Sequence, residues 1–233
     1  MVSLREELYS LKNNEKAITL SRFFKTSKGE YGYGDKFLGI TVPIQRSIVK
    51  KYYKDIRLNE VEALLHDEFH EVRSSALMIL AYKMEYSNTL EQSEIVKLYL
   101  KNTKYINNWD LVDLSASYIL GSYIYENKMD KAILYELADS SDLWEQRISI
   151  IATHYFIRKN EFEDTINISK LLLPSKQDLI NKAVGWMLRE VGKKNYDVLY
   201  HFLLEYANQL PRTTLRYAIE RFDSKTREMF MKS

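Results

Sequence analysis

The sequence predicts an all-α fold, a helical-repeat solenoid running the length of the 233-residue chain. Three observations carry this expectation. Backbone punctuation is sparse, with 7 Gly and 3 Pro, while hydrophobic residues make up 45% and charged residues 28%; a sheet protein of this size needs many turns, whereas helices joined by short loops need few. Apolar residues recur at i, i+3, i+4 and i+7, as in Val72, Ala76, Ile79 and Leu80 or Ala183, Met187 and Val191, which is the helical period. Equivalent segments also return every 34 to 40 residues, the spacing of paired-helix repeats.

Taken in order, the opening MVSLREELYSLKNNEK is charged within five residues and lacks the uninterrupted apolar core of a signal peptide. No later run approaches a membrane span, and the chain has no cysteine, so a cytoplasmic protein in a reducing compartment is expected. Without cysteine there are no disulfides, thiolate metal sites or cysteine nucleophiles.

Between two helical patterns, SKGEYGYGDKFLGI holds four of the seven glycines, with Tyr31 and Tyr33 among them. Residues 27–39 read as a flexible Gly/Tyr-rich surface loop, or as an arm that touches nucleic acid. The glycine spacing fits neither GxGxxG nor a P-loop, and no strand precedes it, so nucleotide binding is not expected. The next helix begins near Pro43, a residue suited to the first turn. It carries Arg46, Lys50, Lys51 and Lys54, a cluster that is either solvated or holds phosphates. HDEFH at 66–70 gives His66 and His70 the i, i+4 spacing of a zinc helix, but Asp67 follows the first histidine and no third ligand is apparent, so no metal and no cofactor are expected.

From residue 72 onward five segments can be overlaid: VRSSALMIL, VDLSASYIL, QRISIIATH, NKAVGWMLR and LRYAIERF. They place Arg73, Asp113, Arg147, Lys182 and Arg216 in one column, at spacings of 40, 34, 35 and 34. The pattern is that of HEAT-like helical repeats forming a curved α-solenoid, one domain over 1–233, in which equivalent positions line a concave basic face. Four cations suit a track for DNA phosphates. The single acid, Asp113, repels DNA unless it has chemistry to perform.

Around that acid, Trp109 and Asp113 lie four apart in NNWDLVD, hence on one helix face. Arg147 of LWEQR follows one repeat later, and Trp186 of NKAVGWMLRE lies one turn beyond Lys182. Two indoles would then flank one carboxylate. These residues, together with SRFFK at 21–25 and FLGITVPIQR at 37–46, resemble the AlkD-type alkylpurine DNA glycosylases, a HEAT-like repeat family, over nearly the whole length. The resemblance implies an active site of Trp109, Asp113, Arg147 and Trp186, with a target base that is not held in a pocket. Phe23 stands where that family often has a tyrosine, so an aromatic surface is kept and a hydroxyl is lost. The 27–39 loop is also longer than the resemblance suggests.

The chemistry fits the residue types. Alkylation at N7 or N3 makes a purine cationic and weakens its bond to deoxyribose, so no strong acid is required. An ionised carboxylate, Asp113, would stabilise the oxocarbenium-like sugar and activate water. Trp109, Trp186 and Phe23 would pack on the sugar, and Arg147 would grip a phosphate bidentately. Arg73, Lys182, Arg216, Arg46 and Lys50 would hold the DNA backbone. The expected partner is double-stranded DNA with alkylated bases, bound by a monomer, with no membrane involved. The alternatives are a non-catalytic array that recognises distorted or branched DNA, and a protein-interaction solenoid, which would tolerate any charge in the column.

Overall fold

The computed structural model describes residues 3–232. Among them there is no strand, and one isolated parallel bridge pairs Lys36 with Phe69. The helices fall into two compact units that meet in sequence between Ser115 and Ala116.

The first unit contains α1 (Leu4–Ser10), α2 (Asn14–Phe23), α3 (Val42–Tyr52), α4 (Leu58–Leu65), α5 (His70–Tyr86), α6 (Thr89–Lys101) and α7 (Trp109–Asp113). Local sequence starts several of them. Ser3 and Glu6 form a capping box at α1, Asn88 and Glu91 do so at α6, Asn13 caps α2, and Pro43 occupies the first turn of α3. The centre is α5, which packs against α1, α3, α4, α6 and α7. It is buried without interruption from His70 to Leu80, polar residues included. A helix surrounded in this way shows little amphipathic contrast.

The second unit contains α8 (Ser122–Glu126), α9 (Ala132–Asp139), α10 (Leu143–Ala152), α11 (His154–Arg158), α12 (Glu163–Leu171), α13 (Asp178–Lys194), α14 (Tyr196–Tyr206), α15 (Arg212–Ala218) and α16 (Ser224–Lys232), and it opens on a π-helical turn at Ser117–Gly121. The three column segments of this unit lie on α10, α13 and α15, and these helices pack in succession, α10 on α13 and α13 on α15. Behind them α9 packs on both α10 and α12, and α12 and α14 on α13. Each pair thus buries its apolar face against its neighbours, as repeat architectures require.

Where α13 crosses α15 the helices touch at Gly185. A Cβ built there would meet Tyr217 Cβ at 2.6 Å and the Thr214 carbonyl oxygen at 2.7 Å, and the latter is backbone that cannot step aside. Gly185→Ala is therefore expected to destabilise the protein by about 1–3 kcal/mol, read as a lower midpoint in urea unfolding.

Candidate functional site

Within the first unit, the sequence-predicted residues Trp109 and Asp113 are the first and last residues of α7. The helix is short because its start is fixed by Asn108, fully buried, whose side-chain oxygen accepts from the Trp109 N–H at 2.9 Å. Asp113 is half-buried. Its charge is felt by Tyr99: burial pushes that phenol up, and the Asp113 carboxylate adds to the effect against the hydrogen bond to Ser115. Tyr99 therefore stays protonated, with its hydroxyl 3.1 Å from Ser115 Oγ.

Trp109 stands at the end of an aromatic stack. The two phenylalanines of SRFFK divide between inside and outside. Phe24 is buried, stacked on Phe37 at 5.1 Å and on Trp109 at 5.4 Å between centroids. Phe23 is 61% exposed and meets Trp109 edge-on at 6.0 Å. The structure thus brings together two of the residues that the sequence assigns to substrate, as an exposed ring against a half-buried indole. The indole N–H donates to the Tyr31 hydroxyl at 3.2 Å. A phenol hydroxyl therefore reaches this aromatic face from the 27–39 loop, although Phe23 brings none.

Hydrogen bonds tie residues of that loop to α5 and to the end of α2. The Glu71 carboxylate, buried on α5, accepts from the backbone N–H groups of Leu38 and Gly39 at 2.8 Å and of Ile40 at 3.1 Å. His70 N–H donates to the Lys36 carbonyl at 2.8 Å, and Gly32 N–H to the Lys25 carbonyl at 3.1 Å. Gly32 is packed so closely on α2's end that a Cβ would meet the Phe24 carbonyl oxygen at 2.3 Å.

Beneath the stack lies a buried charge cluster that the sequence reading did not assemble. His70 Nε2 is 2.8 Å from Asp110 Oδ2, and Nδ1 is 3.0 Å from Asp35 Oδ2. Asp35 also accepts from Arg73 Nη2 and, at 3.4 Å, from Asn108 Nδ2. Burial works against the Asp35 charge, but His70 and Arg73 outweigh it and hold its carboxyl below the ordinary range. The only sequence hint was HDEFH. It does not form one helix: His66 precedes α5 and bonds Asn102 at 2.7 Å, while His70 opens α5.

This cluster also corrects the role given to Arg73. The side chain is 5% exposed, and its Nη1 donates to the Asp67 carbonyl at 3.0 Å. Its Nη2 is engaged by Asp35 and, at 3.3 Å, by Asn107. A guanidinium so enclosed cannot reach DNA phosphate. By contrast Arg46 and Lys50 on α3 are exposed.

In the second unit, Arg147 is 4% exposed, with Nη1 donating to the Leu179 carbonyl at 2.6 Å, which is not the open fork that a bidentate phosphate grip needs. Lys182 is half-exposed and paired with Asp178 at 2.8 Å, and Arg216 is exposed. Trp186 is half-buried on α13, its N–H 3.3 Å from Glu190 Oε1 and its ring 5.8 Å from His154. Burial, and then Arg158, lower the His154 pKa, so its imidazole is neutral at pH 7.

The DNA alkylation repair enzyme family matches over residues 4–222. A predicted DNA alkylation repair enzyme from Enterococcus faecalis, of solved structure, is similar with a TM-score of 0.74 and 18% identity, over 91% of this chain and 97% of that one. That likeness speaks to the fold. No curated protein matches the chain.

Proposed function

We propose, on the premise that the chain belongs to the DNA alkylation repair enzyme family, that it is an AlkD-type glycosylase hydrolysing the N-glycosidic bond of cationic alkylpurines in duplex DNA. The observation that carries this reading is α7, which sets Trp109, with Phe23 against it, one helical turn from Asp113. Aromatic faces attract the positive charge that develops on the sugar, by roughly 0.5–2 kcal/mol per contact, and an ionised carboxylate beside them stabilises the same charge.

The C1′–N bond breaks and its electron pair leaves with the base, so a cationic N7-methylguanine or N3-methyladenine departs neutral. The charge passes to the sugar, facing Asp113. Water then adds to C1′, with Asp113 taking its proton, and leaves an abasic site. Tyr31 offers the hydroxyl that Phe23 lacks. Arg46 and Lys50 on the first unit, and Lys182 and Arg216 on the second, hold phosphates. A base that is already a good leaving group needs no pocket to activate it.

Release of free base from duplex DNA containing N7-methylguanine tests the reading. Release well above spontaneous depurination is the expected result. Tight binding without release would instead leave a non-catalytic DNA-recognition array, and failure to bind duplex at low salt would point to a protein-interaction solenoid.

A further inference from the structure

We infer that His70, as a buried imidazolium bridging Asp35 and Asp110, is a positioning residue that locks the 27–39 loop and α7 together and so sets the Trp109–Tyr31 face and Asp113. The inference rests on the glycosylase reading for its effect on rate, but its geometry stands alone. An ionised carboxylate only accepts hydrogen bonds, so contacts of 2.8 and 3.0 Å from the two ring nitrogens to two carboxylates require a proton on each nitrogen. The side chain is 3% exposed, and Phe37 stacks on it at 4.7 Å and Phe24 lies at 4.9 Å, an arrangement that favours a cationic ring.

The two carboxylates come from different elements. Asp35 belongs to the loop that carries Tyr31, and Asp110 follows Trp109 on α7. With His70 and Arg73 positive and Asp35 and Asp110 negative, the cluster is neutral. Removing the imidazolium proton leaves one excess negative charge and turns a ring lone pair against a carboxylate oxygen. Asp35 keeps Arg73 and Asn108. The Asp110 carboxylate has no other hydrogen-bond partner among the described residues, and its Oδ1 is buried without one. Loss of the proton therefore releases α7, not the loop.

Burial alone would lower the His70 pKa; Asp110 and then Asp35 outweigh it and raise it to about 9. A folded value above the ordinary 6.5 means that the contribution to stability is complete below that value and is lost as pH rises through about 9. The lock is thus closed at neutral pH and opens in mild alkali.

The test uses the full-length protein carrying Trp144→Phe and Trp186→Phe, which leaves Trp109 as the sole indole. Its emission and acrylamide quenching are followed from pH 7 to 10, beside base release by the unmodified protein. The expected result is a Trp109 transition near pH 9 that coincides with loss of base release. Asp110→Asn should move that transition down by roughly one to three pH units, the usual effect of removing a contacting opposite charge. An unmoved midpoint, or a flat response through pH 9.5, would overturn the inference. His70→Gln should slow base release more than tenfold with helix content unchanged and abolish the alkaline limb; release within about twofold of wild type would also overturn it. If that variant fails to fold, the Asp110→Asn titration decides. A transition that shifts as expected in a protein releasing no base would support the lock while sinking the glycosylase reading.

Discussion

Asp113→Asn is expected to slow base release by roughly 10²–10³-fold, the effect of removing one preorganised electrostatic stabiliser, while duplex affinity stays nearly unchanged. The substitution preserves the shape and one acceptor oxygen of the side chain at the end of α7, while removing its charge and turning the second oxygen into an NH2 donor. Binding relies on cations elsewhere, and losing an acid can only relieve repulsion of phosphate. Rate should therefore fall at fixed affinity, with the largest loss at saturating DNA in single-turnover release of N7-methylguanine. An Asn variant as fast as wild type would show that the positive charge on the sugar is met by something other than Asp113. Equal loss of binding and rate would instead mean that Asp113 acts by holding α7 in place.

Much of this was legible in the sequence. Helical period, sparse turns and the capping signals at Ser3, Asn13 and Asn88 are local properties, and the helices form where those signals place them. Trp109 and Asp113 were readable as a pair because four residues on a helix fix their relation. What escaped was non-local. Asp35, His70 and Asp110 are separated by 35 and 40 residues, and no spacing rule links a loop acid to a histidine and to a motif aspartate. Asp110 was visible inside NNWDLVD but had no period of its own to mark it. The anchoring of the 27–39 loop is non-local in the same way. Its glycines signal freedom locally, whereas the hydrogen bonds that restrain it come from Glu71 on α5. The repeat told which positions are equivalent along the chain but not how deep each lies, so Arg73 and Arg147, both buried, shared a column with the exposed Arg216.

Arg73 separates these two kinds of reading by experiment. As a phosphate contact, Arg73→Ala would leave stability unaltered and flatten the dependence of log affinity on log salt by about 0.9, one counterion's worth. As the enclosed partner of Asp35, the Asp67 carbonyl and Asn107, its loss leaves a buried carboxylate with one cation fewer. Breaking such a pair by deleting one partner costs about 3–5 kcal/mol, and for a chain of this size that lowers Tm by about 10 °C. The expected result is the second: a large fall in Tm with an unchanged salt slope. Arg46→Ala and Lys50→Ala, at exposed positions on α3, should behave in the opposite way, each reducing the slope by about one with Tm held. Arg73→Lys is expected to recover little, because a single ammonium cannot span the two acceptors on Nη2 and the carbonyl on Nη1 together. Since Asp35 and Asp110 both remain, and the competing cation on Asp35 is gone, the Arg73→Ala protein should keep the alkaline transition of Trp109 but move it to higher pH, even as its stability falls.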